Sequence, residues 1–146
     1  MTEHTPWQLI DLPTNTDPRG SITICESGEQ IDFVMKRARW VYGAPGDVVR
    51  GGHGHHRTTQ LFVAVAGSLV ITVDDGVRRE RVSLDTPSRG LRIPPLVWIE
   101  TSEFSAGTVL LMLASAPHDT SDYIRDYGAL AEAAARGRGS GRSAIT

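Results

Sequence analysis

The run QLFVAVAGSLVITVDDG, residues 60–76, reads as two short apolar strands. Gly67 divides them, and Asp75-Gly76 closes the second with a strong hairpin signal. Within it Leu69, Ile71 and Val73 fall on one face, Val70 and Thr72 on the other. Both faces carry apolar residues, so the outer wall must also pack, on a second sheet or a second subunit. Outward from this run, strand-like stretches alternate with turn chemistry. SITICES (21–27) precedes Gly28, and FVMKRARWVYG (33–43) stops at Ala44-Pro45-Gly46. RRERVSLD (78–85), GLRIPPLVWIET (90–101) and TVLLMLAS (108–115) follow. Seven or eight short strands with turns every ~8–12 residues predict an all-β, antiparallel sandwich or barrel.

The chain's 146 residues suit one domain. DYIRDYGALAEAAA (122–135) predicts a short C-terminal helical segment, and the single domain is expected over 1–130. The closing stretch RGRGSGRSAIT is polar and glycine-rich, and residues 131–146 are expected to form a flexible polar tail. A formal net charge of −2 leaves no basic footprint for nucleic acid. The N-terminus lacks a signal-peptide pattern, and no stretch approaches the ~18 apolar residues of a membrane span. One cysteine, Cys25, excludes an intramolecular disulfide and fits a reducing cytoplasm; its neighbours Ile22 and Ile24 suggest packing.

RGGHGH (50–55) carries the chemistry. Residues two apart on a strand share a face, so His53 and His55 present two imidazoles together, while the adjacent glycines leave room for close approach. His56 points away and His4 lies in a frayed terminus. Three readings compete. The blandest makes the pair polar loop residues. A second makes them metal ligands, as in the three-His, one-Glu site of many cupins. Here the acid position is Gln60, and the later strand carries Ile99 where a histidine is expected, with Glu100 facing outward. The third is acid–base catalysis, because imidazole titrates near ~6.5 and two rings can serve adjacent atoms of one substrate. An isomerisation through an enediol has that requirement.

The segment KRARWVYGAPGDVVRGGHGHHRTTQLFVAVAGSLVITVDDG (36–76) resembles the sugar 3,4-ketoisomerases of the cupin superfamily. The shared pattern is R-G-x-H-x-H, four residues, Gln, an apolar strand, Gly-Ser, another strand and Asp-Asp-Gly. D-P-R-G-S-I (17–22), G-L-R-I-P-P-L-V-W (90–98) and D-Y-I-R-D-Y (122–127) extend the likeness over roughly residues 8–130. The resemblance implies a cupin (RmlC-like) antiparallel β-barrel or jelly roll. It implies a metal-independent isomerase of a dTDP-linked 4-keto-6-deoxyhexose, needing no cofactor, in deoxysugar biosynthesis. It further implies a homodimer that exchanges N-terminal strands.

Carried over by position, His53 and His55 are the acid–base pair. Tyr42 is expected to offer a hydroxyl to the sugar, and Trp40, sharing its face, either binds substrate or fills the barrel. Arg50 is expected to meet phosphate or brace its loop. Arg19 sits where members vary with product stereochemistry, or else stabilises the D-P-R-G turn. Gln60 and Trp98 complete the expected substrate-binding set. Members commonly read H-A-H-K, so H-G-H-H here is expected to make a looser loop, and Ile99 replaces a polar residue. The alternatives are a metal-dependent, dioxygenase-like cupin, a non-catalytic sugar-nucleotide binder, and a 3,5-epimerase whose motifs match less well.

Overall fold

The computed structural model describes residues 5–143, with side chains through residue 138. His4 and residues 144–146 lie outside the described residues. In chain order the strands are β1 (Gln8–Asp11), β2 (Thr14–Asp17), β3 (Gly20–Thr23), β4 (Arg37–Tyr42), β5 (Arg50–His55) and β6 (Gln60–Ala66). They continue as β7 (Leu69–Asp74), β8 (Arg79–Leu84), β9 (Arg89–Ile93), β10 (Trp98–Ser102), β11 (Val109–Ala114) and β12 (Tyr123–Ile124). Helix α1 (Tyr127–Ser143) follows.

Two five-stranded antiparallel sheets, ordered β1-β9-β6-β11-β4 and β12-β5-β10-β7-β8, face one another as a jelly roll. Strand alternation supplies the core between them. Phe62, Leu91 and Leu110 enter from one sheet, and Leu69, Ile71 and Val73 from the other. The alternating residues Leu61, Val63 and Leu113 point outward, where Ile31, Phe33 and Met35 of the chain itself cover them. Cys25 packs in that outer cluster, and burial raises its thiol pKa. The second packed face inferred from the sequence is thus partly intramolecular.

Three expectations change. The stretch 90–101, expected as a single strand, splits into β9 and β10, because Pro94-Pro95 cannot donate to a ladder. The chain passes from one sheet to the other there, with Leu96 at φ 64°. SITICES (21–27), expected as one strand, contributes only residues 21–23 to β3, which pairs with β2 in a separate, almost wholly exposed hairpin that lies in neither main sheet. The tail expected from residue 131 is helical as far as Ser143. Leu130 and Ala134 are buried on α1, so its first turns dock and override the glycine-rich composition beyond them.

Helix α1 covers the outer side of the second sheet. Leu130 packs there with Trp98, Leu96 and Ile124. No helix among the described residues is long and apolar enough to cross a membrane.

Candidate active site

The two histidines enter the interior through the glycines that precede them. Gly51 and Gly52 both hold positive φ, 88° and 76°, and β10 shifts register against β5 between Ile99 and Glu100. A Cβ on Gly51 would lie 2.8 Å from the Ile99 carbonyl oxygen, so only glycine lets the strands close here. Beyond this irregularity, His53 and His55 alternate inward while Gly54 faces α1. A Cβ on Gly54 would collide with Leu130 Cδ1 and sit 2.6 Å from the Val97 carbonyl oxygen. The glycine expected to loosen the loop instead admits a helix side chain.

The imidazole centroids stand 5.3 Å apart with the planes nearly perpendicular, at 86°. Tyr123 lies against both, its ring 4.9 Å from that of His53 and 4.7 Å from that of His55. His55 is 2% exposed, and its Nδ1 is 3.2 Å from Nε2 of buried Gln60. Arg39 donates from Nη2 to Gln60 Oε1 at 3.2 Å. Nε2 of His55 is buried and has no hydrogen-bond partner among the described residues. His53 lines a small open cavity with Arg39, Arg50, Phe62, Ile99 and Thr101. Asp122, buried and near enough to act on His55, accepts from the Arg57 backbone N–H at 2.8 Å and from the Thr58 hydroxyl.

Burial, and then the neighbouring His53, push the His55 imidazole down from 6.5 to about 4, with Asp122 opposing. Burial and then Arg39 lower His53 as well, against a hydrogen bond to the Gly51 backbone. Both rings are therefore neutral near pH 7. Below pH 6.5 the unfolded chain binds protons that the folded chain refuses, so stability falls as pH drops from about 6.5 toward 4. Urea midpoints are expected to decline across that window, and less steeply in His55→Asn. Equal slopes in the two proteins would contradict the burial of a neutral ring.

The structure brings together His53, His55, Gln60 and Arg50 of the expected residues. Gln60, expected to bind substrate, turns its amide to His55 and Arg39 instead. Tyr42 and Trp40 are 73% and 58% exposed on the face of β4 opposite the cavity. Arg39 and Val41 take the inward positions on that strand, so neither aromatic meets the histidines of its own chain. Trp98 packs edge-on against Tyr127, 5.7 Å away, on the helix side of β10, and does not line the cavity. Arg19 is 90% exposed at the hairpin tip, where its guanidinium and backbone N–H bind Asp17 at 2.7 and 2.8 Å. Two residues that sequence reasoning passed over, Arg39 and Tyr123, sit at the centre. The first lies in the 36–76 match, and the second in the D-Y-I-R-D-Y motif.

The cavity does not suit a resident metal. The His55 imidazole meets an amide whose oxygen already accepts from Arg39, and Ile99 fills the position opposite His53. Among the described residues no three His, Cys, Asp or Glu side chains converge. What the arrangement can do is hold two neutral imidazoles and guanidinium cations around one small polar substrate.

A family model described as FdtA: WxcM-like, C-terminal, matches residues 5–135. The TDP-4-oxo-6-deoxy-alpha-D-glucose-3,4-oxoisomerase of Aneurinibacillus thermoaerophilus is 36% identical over 120 residues, 82% of this chain and 86% of that protein. A mutant of the 3,4-ketoisomerase QdtA from Thermoanaerobacterium thermosaccharolyticum, solved with TDP-4-keto-6-deoxyglucose, superposes with a TM-score of 0.89. That pair is 33% identical, covering 92% of this chain and 97% of the other. A 3,4-ketoisomerase from Helicobacter canadensis gives a TM-score of 0.86 at 32% identity, over 90% and 98% of the two chains.

Proposed function

The chain belongs to the FdtA, WxcM-like C-terminal family, and from that premise we propose that it converts TDP-4-keto-6-deoxyglucose to the 3-keto isomer. It is a sugar-nucleotide 3,4-ketoisomerase of deoxysugar biosynthesis. The single observation that carries the mechanism is a pair of neutral imidazoles, one lining the cavity and one behind it with an unpartnered Nε2.

In this reading His53 removes the C3 proton. The C–H electrons form the C3–C4 double bond, and the C4 carbonyl oxygen takes up charge and a proton from His55. In the second half His55 takes the O3 proton and so regains its own, and protonated His53 returns its proton to C4: C3 is oxidised, C4 is reduced, and no outside redox partner is needed. The proton beside a ketone is weakly acidic, so donors must meet the developing enediolate. Arg39 and Arg50 supply positive charge at the cavity, and Arg50 serves the diphosphate in the same reading.

The rest of the site comes from a second copy. Strand β4 ends its sheet with an unpaired edge and turns Trp40 and Tyr42 outward, while the β2–β3 hairpin stands exposed on both faces. A two-stranded hairpin is marginal alone, and an open edge invites a partner. Exchange of hairpins across a homodimer covers both, bringing Arg19 to the neighbour's cavity and burying Trp40 and Tyr42 between subunits. A nucleotide-linked substrate and the packed, unpaired Cys25 accord with a cytoplasmic enzyme.

Incubation with TDP-4-keto-6-deoxyglucose in deuterium oxide tests the reaction. A ketoisomerase is expected to wash deuterium into the carbon beside the ketone and yield product that a 3-aminotransferase consumes. A binding protein leaves the substrate unlabelled, and a 3,5-epimerase labels C3 and C5 while the ketone stays at C4; either result would refute the reading.

A further inference from the structure

Gln60 stands where a metal-binding cupin carries its carboxylate, yet it is 1% exposed and locked between two side chains. Resting on the isomerase reading, we propose that Gln60, held by Arg39, is a positioning residue that fixes His55 as the tautomer protonated on Nε2. The pair of histidines is thereby made unequal.

An amide has one accepting end and one donating end. A guanidinium only donates, so the Gln60 atom 3.2 Å from Arg39 Nη2 is its carbonyl oxygen. The amide nitrogen is then the atom 3.2 Å from His55 Nδ1, and it only donates. Nδ1 must accept. A neutral imidazole carries one N–H, and here it falls on Nε2, the buried atom without a partner.

The other charged or titratable groups around the ring do not reverse this. His53 lies beside it on β5, Arg37 and Arg39 reach from β4, and Tyr123 and Asp122 close it from the far side. Asp122 is the one acid among them, and its two oxygens are engaged by the Arg57 backbone N–H and the Thr58 hydroxyl. Protonating His55 would also drive an Nδ1–H against the N–H of Gln60, a repulsion added to burial. A carboxylate at position 60 would do the reverse, accepting from Nδ1–H and leaving Nε2 bare. The amide therefore makes His55 the donor to a substrate oxygen, and the acid would make it a second base.

Ring nitrogen NMR of the native protein labelled with [15N]histidine tests the tautomer directly, with His55→Asn assigning the signals. At pH 7, His55 is expected to show an unprotonated Nδ1 and a protonated Nε2. Gln60→Glu is expected to exchange these types and lower kcat about a hundredfold, the scale of one general acid. KM and TDP affinity should stay within about twofold, because Gln60 touches the ring and not the nucleotide. A protonated Nδ1 in the native enzyme, or a Gln60→Glu variant with native kcat, would overturn the proposal. The tautomer is read on the native protein and needs no activity, with His55→Asn serving only to assign the signal. An inactive native enzyme would thus refute the isomerase reading while leaving the tautomer result intact.

Discussion

Replacing His53 by asparagine is expected to lower turnover of TDP-4-keto-6-deoxyglucose by about 10²–10⁴-fold, the share of a lost general base. Asparagine keeps a polar head of similar reach, so β5 should hold and TDP should bind as before. Deuterium should no longer enter the sugar at a measurable rate. Native turnover in this variant would end the assignment of His53 as base. The same variant examines hairpin exchange. An Arg19→Ala protein is expected to be weak for want of its partner's contact. When equal amounts of the two variants are refolded together, one site in four combines an intact His53 with an intact Arg19 from the other chain. About a quarter of native activity should return. No recovery would mean that Arg19 does not serve a neighbour's cavity.

Gly54→Ala is expected to destabilise the fold by about 1–3 kcal/mol, the usual cost of forcing atoms into a filled space. The new methyl has nowhere to go, with Leu130 Cδ1 on one side and the Val97 carbonyl on the other. Leu130→Ala alone should also cost stability, roughly 2–5 kcal/mol, because it empties a fully buried site on α1. Combined, the two changes should cost less than their sum, since the smaller helix side chain yields the space that the methyl needs. Urea midpoints of the three proteins and the parent check this. Strict additivity would show that strand and helix do not press on one another at residue 54.

Much of the site was legible because its signals are local. Same-face spacing paired His53 with His55, and Leu69, Ile71 and Val73 all reached the core. The neutral Gln60 and the apolar Ile99 were visible as departures from a metal-binding set, and both line or support the cavity. What failed was the choice of which face points in. Alternation groups Trp40 with Tyr42 and Arg37 with Arg39, but it does not say which pair is interior. Hydrophobicity favours the aromatics, whereas the observed cavity takes Arg39. Tyr123 escaped notice because its position depends on β12 pairing with β5, a contact between residues far apart in the chain. The β2–β3 hairpin carries one large apolar residue, Ile22, and that side chain is exposed, so its pattern does not tell which face is covered. The run through Pro94-Pro95 was apolar enough to pass for one strand, although its proline pair marks the crossing between sheets.

The pairing of β12 with β5, together with Leu130 against Gly54, has a consequence for how the enzyme is made. Synthesis produces the histidine strand well before its outermost neighbour and its backing helix, which follow it far along the chain. A nascent chain stopped short of residue 123 carries both imidazoles on an open edge with no tyrosine beside them. The ribosome thus delivers the two histidines well before it delivers the tyrosine and the helix that enclose them.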